Sequence, residues 1–241
     1  MNKKILIYGG SSLISLELIK IYNNEEYEFI IFCRNKNKFI ERLKELDLST
    51  NKFTIYESDL IELEKNLKII SEIKNDLDGL IWVAGETGNA IIEFENTPEA
   101  KKSIDINFLN PILIISKLTL KIKQNNNSFI AVITSVAGLR GRQKNFFYGS
   151  ANSGMISFLS GLRQKFSGKI SVLTIIPGYM KTKKFNIDAP ELLITTPKKA
   201  ARIIVNAIKN KKEVVYINFL WRVIMFFLGL IPEKIFKNFK F

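Results

Sequence analysis

Histidine is absent from all 241 residues of this chain. That excludes His-ligated zinc sites, Ser-His-Asp triads and any imidazole base, leaving proton transfer to Tyr, Lys, Asp, Glu or Cys. Cysteine occurs once, at Cys33, so no intrachain disulfide can form, which argues against a disulfide-stapled secreted module. Carboxylates are in deficit, 23 against 36 lysines and arginines, for a formal charge of +13. That balance suits an anionic partner such as nucleic acid, acidic lipid or a phosphorylated substrate, or else reflects only a lysine-rich surface. Nucleic acid is the least favoured of these, because the basic residues group with no reading motif. The opening run MNKKILIYGG is too short for a signal-peptide core. No Gly/Ser/Pro-rich linker, like-charge run or repeat divides the chain, so one large α/β domain is expected.

Short apolar runs are what the chain has in quantity. Lys4–Tyr8, Phe29–Cys33, Phe53–Tyr56, Leu80–Val83, Phe129–Thr134, Ile170–Ile176 and Val214–Ile217 are rich in Ile, Val, Phe and Tyr and read as buried strands. Amphipathic segments between them predict helices over Ile14–Asn23, Lys36–Leu46, Leu60–Asn75, Pro98–Gln124, Gly149–Phe166 and Pro197–Lys209. Thr196 and Pro197 are suited to the N-cap and first position of the last. Strands apolar on both faces, alternating with helices, imply a Rossmann-type, doubly wound parallel sheet of about seven strands with helices on both sides. Ligands of such sheets bind beyond the carboxyl ends of the strands.

Those ends carry the candidate chemistry. After the first strand, Gly9, Gly10, Ser11, Ser12, Leu13 and Ile14 form a glycine turn feeding a helix, a cradle for phosphate. Leu13 and Ser15 stand where the later glycines of a dinucleotide fingerprint would sit. Leu13 is expected to intrude on the pyrophosphate, and Ser15 to crowd the helix against the sheet. After the second strand, Arg34 and Lys36 either suit a ribose 2′-phosphate or form a solvated basic loop. Asp59 and Leu60 follow the third strand, and Ala84 and Gly85 the fourth. Ser135 leaves the fifth, Tyr148 follows at a helix start, and Pro177 and Gly178 break the chain after the sixth.

On these residues, with Asn107 in DINFLNP, the chain resembles the short-chain dehydrogenase/reductase family over essentially its whole length. The resemblance implies a Rossmann-type fold, NADP (as NADPH) or NAD as cofactor, and carbonyl–hydroxyl redox chemistry. By it, Tyr148 is the proton donor and acceptor, Ser135 holds the substrate oxygen and Asn107 supports a proton-relay water. Asn152 occupies the place of the lysine that would hold the nicotinamide ribose. The cofactor would be held by the 9–14 loop, Arg34, Asp59, Leu60, Ala84, Gly85, Tyr148, Asn152, Pro177 and Gly178. The stretches VAGLRGRQKNFFYGS, VLTIIPGYMKT and WRVIMFFLGLIPEKIFKNF are similar to the decaprenylphosphoryl-2-keto-ribose reductases, which reduce a lipid-linked pentose in envelope polysaccharide synthesis. That likeness implies a keto-sugar substrate, a homo-oligomer and a cytoplasmic station at the inner face of the membrane.

Asn152 can donate hydrogen bonds but carries no charge with which to stabilise a tyrosinate. Ketone reduction needs the protonated phenol, so the change should harm oxidation more than reduction. Arg140, Lys144 and Lys181 are the cations in neighbouring loops that could substitute. The alternative is a weak or inactive dinucleotide-binding or scaffold protein of the same fold. Domain organisation is read as 1–218 for the α/β domain and 219–241 for an apolar, basic helical tail. FLWRVIMFFLGLI is too short to span a bilayer, while Lys234, Lys237 and Lys240 alternate with Phe236, Phe239 and Phe241. The tail therefore lies in a membrane interface, or packs on the core or a second subunit.

Overall fold

The computed structural model describes residues 3–23, 27–181 and 189–239. Thr182, Lys240 and Phe241, which figure in the sequence reading, lie outside them. The first half runs β1 (Lys3–Tyr8), α1 (Leu13–Asn23), β2 (Tyr27–Cys33), α2 (Lys36–Glu45), β3 (Phe53–Glu57), α3 (Leu63–Glu72) and β4 (Gly79–Trp82). Then come α4 (Ala90–Glu95), α5 (Thr97–Ile104), a π-helical turn (Asp105–Leu109) and α6 (Asn110–Thr119). The second half is β5 (Phe129–Ile133), α7 (Phe146–Lys165), β6 (Ser171–Ile176), β7 (Tyr179–Met180), β8 (Ile194–Thr195), α8 (Pro197–Lys209), β9 (Val214–Tyr216), α9 (Phe219–Leu230) and α10 (Glu233–Phe236).

Seven strands form one parallel sheet in the order β3-β2-β1-β4-β5-β6-β9. Each of the seven apolar runs is one of its strands. Alternation within β1 shows why they read as continuous apolar runs: Ile5 and Ile7 pack with α1 and α8 on one face, Leu6 and Tyr8 with α3 and α6 on the other. The chain order reverses between β1 and β4, and a crevice opens at such a switch point.

Three predicted helices are bounded differently, among them α3, which spans Leu63–Glu72 within the expected 60–75. The segment expected as one helix over 98–124 is divided by the π turn, where Asn107 points inward and is buried. α7 begins at Phe146 rather than Gly149, which puts Tyr148 inside its first turn. The start of α8 is as read: Thr196 Oγ1 accepts from Lys199 N at 3.3 Å, ahead of Pro197. Among the described residues, no helix is long and apolar enough to cross a membrane.

Candidate active site

The turn after β1 is set by contacts that only glycine permits. Gly9 has φ +92°, and a Cβ on it would lie 2.7 Å from the backbone nitrogen of Ala84. The turns after β1 and β4 therefore touch backbone to backbone. A Cβ on Gly10 would meet Ile31 Cγ2 at 2.3 Å. The amides of Gly9 and Gly10 both donate to Phe32 O, at 2.9 and 3.0 Å, so they are not the free phosphate donors that the sequence pattern suggests. Leu13, where the chain enters α1, is half-buried.

Ser15 does not crowd the helix. It is fully buried, its hydroxyl donates to Gly9 O at 2.9 Å, and Ser12 Oγ accepts from its amide at 3.0 Å. The side chain in place of a third glycine thus fastens the turn to the helix.

The other strand ends gather around this turn. Asp59 Oδ1 accepts from Ile61 N, and the buried Leu60 offers its carbonyl to Asn110 Nδ2 at 2.7 Å. Arg34, at the end of β2, reaches Glu86 beyond β4, Nη1 to Oε1 2.6 Å. Since β1 lies between β2 and β4, this exposed ion pair bridges over the carboxyl end of β1.

Ser135 and Tyr148 come together. The side chains of Ser135 and Asn152 are the two that act on the Tyr148 phenol. Burial pushes that phenol above its ordinary value, and these two polar neighbours only partly oppose the shift. Among the described residues, neither Lys144 nor Lys181 acts on it, and Arg140 is held elsewhere. Asn152 Nδ2 also donates to Tyr148 O at 2.9 Å. Two glycines make the approach: a Cβ on Gly138 would lie 2.8 Å from the backbone of Asn152 and Ser153, and one on Gly149 would lie 2.9 Å from Ala137 O. The Ser135–Gly138 turn and the start of α7 are therefore in backbone contact. Val136 N donates to Pro177 O at 3.1 Å and ties this turn to the loop after β6.

Asn107 is engaged at both ends of its amide, with Oδ1 accepting from Glu86 N at 2.8 Å and Nδ2 donating to Ser103 O at 2.9 Å. It straps the loop after β4 to the π turn, and Gly85 passes directly against it. Gly178 lies under the indole of Trp221, where a Cβ would meet Nε1 at 1.9 Å. These contacts join the strand-end loops from the β1 turn to Tyr148, with backbone contact at one end and a phenol that keeps its proton at the other.

The family model for short chain dehydrogenase matches residues 3–190. The chain belongs to the short chain dehydrogenase family. It is an NAD(P)-dependent oxidoreductase by that membership. Similar curated proteins include the ketoacyl reductase HetN of Nostoc sp., 24% identical over 90% of this chain and 79% of that protein. An uncharacterized oxidoreductase of Mycobacterium tuberculosis is 26% identical over 66% of this chain and 68% of its own length. Among solved structures, ElxO with NADP bound has a TM-score of 0.77 at 22% identity, covering 92% of this chain and 100% of that one. A Burkholderia cenocepacia short chain dehydrogenase in complex with NADP has a TM-score of 0.79 at 14% identity, covering 98% and 97%. These structures share the fold.

Four contributors were not singled out from sequence. Gly138 and Gly149 set the approach of Ser135 to Tyr148, and a glycine in the first turn of an otherwise regular helix was the available signal. Glu86 and Trp221 act through contacts 52 and 43 positions away in the chain, which no local pattern announces.

Proposed function

We propose that this short chain dehydrogenase is an NADP(H)-dependent reductase of a keto-sugar or related carbonyl compound. The observation that carries the reading is the gathering of Ser135 and Asn152 beside the Tyr148 phenol, on the same sheet edge as the Gly9 turn. Gly9 meets Ala84 backbone to backbone, and Ser11 and Ser12 just ahead of α1 stay outside the core, so the residues present fit such a cofactor at the helix entry. The entry to α1 at Leu13 and Ile14, with Ser11 and Ser12, would hold its phosphates. Asp59, Leu60 and Gly85 would flank its adenosine end, and Pro177 and Gly178 its nicotinamide end. NADP is the form bound in ElxO and the Burkholderia protein, and Arg34 suits its extra phosphate.

When bound, the reduced nicotinamide supplies a hydride to the carbonyl carbon. Tyr148 donates its phenolic proton to the carbonyl oxygen, which completes the hydroxyl. Ser135 holds that oxygen in place. Asn152 orients the phenol and the first turn of α7 without adding charge. The phenol stays protonated at neutral pH, the form that reduction requires.

The sugar specificity rests on the likeness of 136–150, 172–182 and 221–239 to decaprenylphosphoryl-2-keto-ribose reductases, a substrate class that would place the protein in envelope polysaccharide synthesis at the inner membrane face. A ketoacyl compound, as in the name of the Nostoc relative, is the competing class. NADPH consumption with ketoses, their phosphorylated and lipid-linked forms, and ketoacyl thioesters decides between them. Tight dinucleotide binding without turnover, in both the native protein and Asn152→Lys, would identify a binding protein instead.

A further inference from the structure

α9 is apolar on two opposite faces, with Arg222 as its one charge, yet only one of those faces is covered. Trp221 and Met225 are buried against Val136 and Ile176, with Ile224 and Leu228 packed beside them. On the opposite side, Phe219, Phe226, Phe227 and Leu230 are 66%, 63%, 61% and 65% exposed, and Val223 joins them. Positions 219, 223, 226, 227 and 230 follow helical spacing, so they form one continuous stripe. A helix apolar on opposite faces belongs in a core or at lipid. This one is in neither as it stands, and 12 residues reach only about 18 Å, too short to cross a bilayer.

The rim of the stripe says what covers it. Arg222, Lys234 and Lys237 are exposed around it, and Ile235 extends the apolar surface onto α10. The single carboxylate of α10, Glu233, is taken up by Arg140, which also donates to Ile231 O at 3.1 Å and lies over the Phe236 ring. A second copy of this chain would bring the same cations, and a formal charge of +13, against themselves. An anionic bilayer presents acyl chains to the aromatics and phosphates to the rim.

The geometry points to the bare side of α9, with its cationic rim, as a docking surface for an anionic lipid bilayer. This extends the membrane-face station of the proposed function, but it stands on the helix itself and is read without turnover. The docking helix also packs on the loop after β6. Trp221 lies on Gly178 and donates through Nε1 to Leu193 O at 3.1 Å, while Arg140 comes from the loop after β5. A bilayer held by α9 therefore lies beside the loops that would receive the carbonyl compound. A cleft of about 530 Å³ between Gly141, Arg142 and Phe146 on one side and Phe236 and Lys237 on the other opens at this junction.

The test is co-sedimentation of the native protein with vesicles of phosphatidylcholine alone and with phosphatidylglycerol added. Binding is expected to the anionic vesicles and to fall with salt. Phe226→Ser/Phe227→Ser/Leu230→Ser should lower the partition coefficient about a hundredfold or more, because three large apolar side chains lose their burial. A single Phe227→Trp variant, which keeps the surface apolar, should show blue-shifted emission quenched by brominated acyl chains beyond any quenching of the native protein. Equal sedimentation of native and triple-Ser protein would overturn the proposal, as would quenching in the Phe227→Trp variant no greater than in the native protein. So would a native dimer, in analytical ultracentrifugation, that the triple-Ser variant converts to monomer without either binding vesicles. Dinucleotide titration of the same samples reports separately on the proposed reductase.

Discussion

The carboxamide of Asn152 donates to the Tyr148 carbonyl oxygen at 2.9 Å, and with the Ser135 hydroxyl it is one of two polar neighbours acting on the phenol of that tyrosine. A lysine there would have brought a positive charge to the same phenol. With Asn152 in place, burial dominates and the phenol is held neutral. The site is therefore biased towards giving a proton rather than taking one.

Tyr148→Phe removes the donor and leaves the ring. Turnover of NADPH should fall by about 10²–10⁴-fold, the usual worth of positioned acid catalysis. Dinucleotide affinity, read by fluorescence titration, should change by less than a few-fold. Unaltered turnover would remove Tyr148 from the chemistry.

The direction of the phenol shift sets the pH behaviour. A phenol raised above its ordinary value keeps its proton through neutral pH and releases it only at strongly alkaline pH. The reduction rate should then be flat from about pH 6 to 9, with alcohol oxidation slow throughout. Asn152→Lys should lower the phenol value, move the alkaline limb towards neutrality and raise oxidation more than reduction. The stability linkage has the same sign: the folded state holds the Tyr148 proton more tightly, so its contribution is present below the unfolded value and is lost as pH rises through the folded one. Paired pH–rate profiles in both directions check this.

Gly9→Ala combines a positive φ with backbone 2.7 Å from the new methyl group. The strain alone should cost about 1–3 kcal/mol. Thermal melts should show the loss, and dinucleotide binding should weaken with it, because the β1 and β4 turns must part.

The Arg34–Glu86 pair should compete with a 2′-phosphate for the same guanidinium. Glu86→Gln is expected to tighten NADPH binding by about two- to fivefold, the range of an exposed ion pair, and to leave NADH unchanged. In an Arg34→Ala background the same substitution should do nothing. Isothermal titration of the four proteins gives the coupling directly.

Trp221→Ala empties the space above Gly178 and unseats α9 from Val136 and Ile176. A loss of about 3 kcal/mol is expected by denaturant titration.

The sheet was legible because its inner strands are buried on both faces, so runs such as Phe29–Cys33 carry an unbroken apolar signal. The strand-end order of Gly9, Asp59, Ala84, Ser135 and Pro177 was equally plain in sequence. What escaped was set by contacts rather than by pattern. The π turn at Asp105–Leu109 interrupts a segment whose helical periodicity continues through it. Ser15 was visible as a departure from glycine, but the bond from its hydroxyl to Gly9 O, which turns that departure into a fastening, was not. Glu86 gains its meaning only from Arg34, 52 positions earlier in the chain.

The contact of Gly138 and Gly149 with opposing main chain has a consequence for variation. The gap between hydroxyl and phenol is gauged by peptide groups, not by neighbouring side chains. Mutations along the outer surface of α7 should therefore drift freely without detuning that gap. A single added methyl at 138 or 149 would open it at once.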